Sequence, residues 1–118
     1  MASRSYINNN PGNLTDTPWT RKQHGHIGAD DRGFAWFDSW LNGLQAMQRL
    51  LWLRSYRTLT VRAAIERYAP SVENDTAAYV ASVCQRAGCK PLDVIENMTP
   101  VQFLALVEAM VVHEGWRA

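Results

Sequence analysis

Glu114 is the acidic residue whose setting most favours chemistry. It closes the segment Thr99–Trp116 (TPVQFLALVEAMVVHEGW), which is apolar almost all the way round, as expected of a helix buried within a domain. At 100° per residue, Phe103, Leu104, Val107, Met110 and Val111 form one stripe, and Glu114 falls on its centre line. A carboxylate there must find a partner or sit in an apolar cleft that favours its protonated form. The negative end of the helix dipole acts in the same direction. Such a setting makes a general acid; the plainer alternative is a carboxylate that frays into solvent near the chain end.

Asn8, Asn9 and Asn10 precede a Pro11-Gly12 turn, with Asn13 just beyond it. Proline presets one φ of such a turn and glycine supplies a positive one. Three consecutive amides exceed what a turn requires. They either brace the loop against backbone groups or offer donors and acceptors to a polar ligand such as an N-acetyl sugar. His24 and His26 alternate onto one face of any strand and, with His113, make a conceivable zinc set. No HExxH or comparable spacing accompanies them, so no metal and no cofactor is expected. Cys84 and Cys89 match no metal knuckle or disulfide framework, and Cys84 reads as a buried thiol.

These residues need a scaffold, and 118 residues are enough for one domain, residues 1–118, with a real core. Twelve basic against 11 acidic residues leave no general pull towards nucleic acid or an anionic membrane. The five tryptophans, at 19, 36, 40, 52 and 116, mean either an aromatic core or a stacking cleft, with the core as the default. No window approaches 18 apolar residues, so no membrane insertion is expected. Met-Ala-Ser-Arg-Ser-Tyr has no apolar stretch behind it, which points to synthesis in a cytoplasm without a signal peptide.

Along the chain, residues 15–33 are polar and irregular, and Gly33 leads into an aromatic strand, Phe34 to Phe37, which predicts a small hairpin or flap. Asp38 or Ser39 caps a helix predicted to run to about Tyr56, with Trp40, Leu44, Met47, Leu50 and Leu51 on one face. Gly43 within that stripe allows a neighbouring backbone or ligand to come close. Thr58 or Thr60 caps the next helix, with Val61, Ala64, Ile65 and Tyr68 inward and Pro70 ending it. Asp75 caps another, with Tyr79, Val80, Val83 and Cys84 buried and Gly88 as its stop. Thr99, Pro100 and Gln102 form a capping box for the last. The expected class is mostly α: a helical domain with a small β-hairpin near its N-terminus.

Several strings, taken in order, resemble one family. They are Asn8-Asn-Asn-Pro-Gly-Asn-Leu14, Gly33-Phe-Ala-Trp-Phe-Asp-Ser39, Gly43 to Leu51, Glu66-Arg-Tyr-Ala-Pro70, Glu73-Asn-Asp-Thr76 with Tyr79, and His113-Glu114-Gly115. Together they resemble phage and prophage structural-protein or endolysin-like domains of lysozyme-like fold, over nearly the whole chain. They are also similar, in circularly permuted order, to flagellar-type glucosaminidases and lytic transglycosylases. In those enzymes a helix ending in a catalytic Glu precedes an Asn-Asn segment, whereas here Glu114-Gly115-Trp116 comes last. Compact domains with adjacent termini tolerate such a permutation.

The resemblance implies a lysozyme-like domain that cleaves peptidoglycan glycan strands, with Glu114 as general acid/base and Tyr68 steadying the developing oxocarbenium or the N-acetyl group. It implies a substrate cleft lined by Asn8, Asn9, Asn10, Asn13, Glu73 and Tyr79. Tyr68 and Tyr79 also fit as core residues, and Glu73-Asn-Asp-Thr76 as a loop and N-cap. Cleavage with two carboxylates requires them about 5–5.5 Å apart for retention or about 6.5–9.5 Å for inversion. Asp30, Asp31 and Glu73 are the candidates for a second. A single acid suffices for a lytic transglycosylase, in which the sugar's own 6-hydroxyl replaces water. The implied setting is a monomer made in a bacterial host and delivered to the cell wall by holin, virion or secretion machinery. Alternatives are a non-catalytic phage structural or interaction protein that retains the fold, and a zinc amidase using the three histidines.

Overall fold

The computed structural model describes residues 2–69 and 75–116. The chain is mostly α-helical with one two-stranded antiparallel sheet, and it divides into two units. One comprises Met1–Arg49 with Glu114–Ala118, the other Leu50–His113.

The first unit opens with two single-turn helices that the sequence reading missed. In α1 (Arg4–Ile7) the Ser3 hydroxyl accepts from Tyr6 N–H, and in α2 (Pro18–Arg21) Thr17 accepts from Thr20 N–H with Pro18 at the first helical position. They were illegible because four residues carry too little periodicity to stand out. The hairpin follows: β1 (His26–Ala29) pairs with β2 (Ala35–Phe37), with a register shift between His26 and Gly28. His24 lies in the turn ahead of β1 and does not share a strand face with His26. Along β2, Ala35 and Phe37 point into the core while Trp36 points out.

The loop from Asn8 to Leu14 runs along the other edge of β2. Phe37 N–H donates to Asn8 O at 2.9 Å and Ala35 N–H to Leu14 O at 3.0 Å. Helix α3 (Trp40–Trp52) begins under this loop, and Ser39, not Asp38, caps it by accepting from Asn42 N–H. Gly43 lies directly against the Asn9 carbonyl, with Pro11 Cδ also in contact, so a side chain there would collide with the loop. Within this unit the buried face of α3 is Ala46 and Met47, joined by Leu14, Ala35 and Phe37, whereas Trp40 stands exposed.

The predicted long helix stops at Trp52. Leu53 is extended (φ −61°, ψ 147°) and caps α4 (Arg54–Arg57), so Tyr56 belongs to a separate turn. In the second unit, α5 (Val61–Tyr68) is capped by Thr60 and buries Val61, Ala64 and Ile65. Asp75 caps α6 (Thr76–Ala87) and Gly88 stops it in the left-handed conformation at φ 72°, with Tyr79, Val80, Val83 and Cys84 buried as expected. A 3-10 turn at Ile95–Asn97 precedes α7 (Pro100–His113). Its capping box is reciprocal: Thr99 N–H donates to Gln102 Oε1 at 2.8 Å and Gln102 N–H to Thr99 Oγ1 at 3.2 Å.

Helix α6 packs on both α5 and α7. The buried face of α7 is Leu106, Val107, Ala109, Met110 and Val111, while Val101, Leu104 and Val112 are exposed. The face is therefore rotated from the expected stripe, since a helix apolar on every side does not reveal which side faces inward. No described helix is long and apolar enough to cross a membrane. The Pro70 stop and Glu73 lie outside the described residues.

Candidate functional site

Helix α7 ends at His113, so Glu114 is not on the helix but in the turn that leaves it, where Gly115 takes φ 88°. That turn belongs to the first unit. Asn13 Nδ2 donates to the Glu114 carboxylate Oε1 at 3.2 Å and to its main-chain O at 3.1 Å. One amide thus fixes both the carboxylate and the backbone of the acid. Asn13 Oδ1 is buried and has no hydrogen-bond partner among the described residues, a state that costs about 1–3 kcal/mol for a lone acceptor. Asn13 is also left-handed at φ 50°, a conformation that asparagine tolerates better than other non-glycine residues.

The other asparagines of the loop have separate duties. Asn10 is 0% exposed: its Nδ2 donates to Leu14 O and Ala35 O, both at 3.0 Å, and its Oδ1 accepts from Leu14 N–H. That amide is fully committed to holding the loop on β2, so a substrate-contacting role is not open to it. Asn8 is 3% exposed and donates to Asp30 Oδ2 at 3.0 Å. Asn9 adopts φ 51° and donates to Phe37 O at 3.3 Å. The positive φ of this segment therefore falls on Asn9 and Asn13 rather than on Gly12.

Asp30, a candidate for the second carboxylate together with Asp31, is engaged from four directions. It accepts from Asn8, from the Arg32 and Phe34 N–H groups at 2.9 Å each, and from Arg4 Nε at 3.2 Å. Burial alone would raise its pKa, but the Phe34 N–H, Asn8, the Arg32 N–H and the Arg4 charge together hold it below the ordinary aspartate value. It is a structural anion that organises the hairpin. Asp16 behaves similarly. Burial opposes its charge, but His26 Nε2 at 2.6 Å and Arg21 Nε at 3.1 Å bring its pKa below the ordinary value. Asp38 accepts from the Asn42 amide at 2.7 Å, and Asp31 is exposed.

Tyr68 and Tyr79 belong to the second unit. Tyr68 is half-buried and meets Tyr56 edge-on at 6.4 Å between ring centres. Tyr79 is 1% exposed and its ring lies 3.9 Å from that of His113. It is a core residue, and burial removes it from the set of substrate contacts. Among the described residues no three His, Cys, Asp or Glu side chains gather as a metal-ligand set: His24 is exposed, His26 is bound to Asp16, and His113 packs on Tyr79.

The tryptophans overturn the default of an aromatic core, because none of the five is buried. Trp116, two residues past Glu114, contacts Tyr6 at 5.2 Å and Trp40 at 5.8 Å between ring centres. Tyr6 and Trp40 both remain exposed. This cluster was missed in the sequence because its three members come from α1, α3 and the C-terminal exit. The only signal was an excess of tryptophan too large for a small core.

No family model matches the chain, and no curated protein matches it.

Proposed function

We propose that the chain is a lysozyme-like, circularly permuted domain that cleaves peptidoglycan glycan strands, as a phage-derived lysin, with Glu114 as the general acid/base. The observation that carries this reading is the pair of hydrogen bonds from Asn13 to Glu114, which join the asparagine loop to the acid although the two lie at opposite ends of the sequence. The exposed rings of Tyr6 and Trp40 around Trp116 support it, as aromatic faces suited to a pyranose beside the acid.

In the first step the Glu114 proton passes to the glycosidic oxygen as the C1–O bond breaks, and positive charge develops on the sugar ring. In the second, the Glu114 carboxylate takes a proton from the nucleophile that closes on C1, either water or the sugar's own 6-hydroxyl. The commitment of Asp30 to the hairpin favours the 6-hydroxyl route, which needs one acid and gives an anhydro product. Asn13 holds the carboxylate and the backbone of Glu114 in place. The substrate is the glycan strand, and delivery to the wall is by virion, holin or secretion machinery.

The alternative, a non-catalytic phage structural protein, is favoured by the degree to which Asn8, Asn10 and Asp30 are occupied in bracing the fold. Lysis of outer-membrane-stripped cells separates the two. The wild type is expected to clear them and Glu114→Gln to lose activity by about a hundredfold or more, the usual scale for a lost acid/base catalyst. Equal clearing by both removes Glu114 from the mechanism. Mass spectrometry of the released muropeptides then distinguishes anhydro from hydrated ends.

A further inference from the structure

A recess in the first unit lies apart from Glu114 and Asn13, neither of which lines it. It is a cleft of about 650 Å³ over the hairpin, with Arg4, Ile7, Asn8, Asn9, Ile27 and Trp36 among its lining residues, and Asp30 and Asp38 at its polar side. The volume lies within the range of about 300–1,000 Å³ typical of small-ligand sites. Its apolar wall is unusual. Ile7 is 67% exposed, Ile27 64% and Trp36 42%, and the three come from α1, β1 and β2. Large apolar side chains gathered at one exposed recess mark a binding surface more often than an accident of folding.

We propose that this cleft is a saccharide-anchoring site, which takes an N-acetylhexosamine unit of a glycan chain at a distance from the bond being cut. Trp36 supplies the platform. The six-membered ring of its indole rests against Gly28, where a Cβ would stand 3.1 Å from Cε3. The absence of a side chain at Gly28 thus gives the indole a seat on the backbone of β1 and leaves the rest of the ring to solvent. A supported, exposed aromatic face suits the apolar C–H face of a pyranose.

The polar groups fit the hydroxyl and acetamido edges of the same ring. Among the described residues, Trp36 Nε1–H has no acceptor, Asn9 uses its Nδ2 on Phe37 O, and Asp38 uses Oδ1 on Asn42. This leaves an indole donor, an amide oxygen and a carboxylate oxygen for a neutral, polyhydroxylated ligand. The Arg4–Asp30 pair is already internally neutralised, which disfavours a phosphate chain. A peptide that adds as a strand to β2 is also disfavoured, because β2 is paired on one edge with β1 and on the other with the Asn8–Leu14 loop.

The choice of an N-acetylated sugar rests on the function proposed above, but the site can be tested separately. A hexamer of N-acetylglucosamine is titrated into the wild type, Glu114→Gln, Trp36→Ala and Trp36→Phe, with binding read by calorimetry and by amide shifts in the hairpin. The wild type and E114Q are expected to bind equally, W36A to weaken binding about tenfold, and W36F to fall between them. Trp36 is exposed, so far-ultraviolet circular dichroism of the variants should be unchanged. Equal affinity in wild type and W36A, or no binding of the hexamer to either wild type or E114Q, overturns the proposal. Lysis by E114Q with Trp36-dependent binding intact overturns the catalytic reading and leaves the anchoring site standing.

Discussion

Four asparagines stand within the six positions from Asn8 to Asn13, and the structure gives each a different task. Asn10 closes the loop on β2, Asn8 binds Asp30, Asn9 lies against Gly43, and Asn13 holds Glu114. The sequence left two readings open for this stretch, bracing and ligand binding, and the contacts of Asn8 and Asn10 are those of braces. Asn10 is wholly a brace. Asn13 is the one that meets the candidate acid, and its spacing from the other three carried no hint of this. A second residue-scale feature was partly legible: Cys84 is buried, as its place on the inward side of α6 predicted. What spacing did not predict is that Cys89 donates to Cys84 across 3.7 Å. Burial, then the Cys84 sulfur and the nearby Asp93 charge, push the Cys89 thiol up to about 12. Only the thiolate is nucleophilic, so iodoacetamide at about pH 8 should alkylate Cys89 in the folded protein at least about a hundredfold more slowly than a free cysteine. Labelling at the free-cysteine rate, followed by mass spectrometry, would contradict this account.

At the scale of elements, ends were easier to read than faces or lengths. Thr60, Asp75, Gly88 and the Thr99–Gln102 box all act as their residue types predict, because a cap is an interaction over three or four residues. Helix α3 ends four residues early at an extended Leu53, which carries no breaker residue to announce it. Helix α7 is apolar on all sides, and only packing against α6 decided that Leu104 faces out. Gly43 was legible as a place of close approach, and the neighbour proves to be the Asn9 carbonyl. A methyl group there would strike a backbone oxygen that cannot swing aside as a side chain can. Gly43→Ala should therefore destabilise the protein by about 2–3 kcal/mol in urea denaturation, although alanine raises helix propensity. A neutral or stabilising result would mean that the loop yields easily.

At the scale of the molecule, the chain divides into two units, and the last described residues return to the first. Tyr6 against Trp116 and Asn13 against Glu114 tie the two ends of the described chain into that unit. The units are expected to differ in their acid sensitivity. Asp16 and Asp30, both in the first unit, have pKa values below the ordinary 3.8. Below that value the unfolded chain takes up protons before the folded one. The stabilisation from these aspartates is therefore complete above about pH 4 and is lost as pH falls through the folded-state pKa values. Hydrogen exchange followed from about pH 5 down to about pH 2.5 should show protection of the β1–β2 hairpin falling before that of α6 and α7. Simultaneous loss in both units would remove the two aspartates as the cause.

The sequence by itself determined the helical class, the hairpin, most of the caps and the inward faces of α5 and α6. These follow from periodicity and from contacts over three or four residues, both of which are written locally. Only the tertiary structure decided which amide meets Glu114, which carboxylate is spent on the hairpin, and that none of the tryptophans is buried. The Asn13–Glu114 pair spans 101 positions, and no local pattern encodes a partner at that distance. It depends on how the loop seats against Gly43 and β2, and on where the turn after α7 brings the carboxylate.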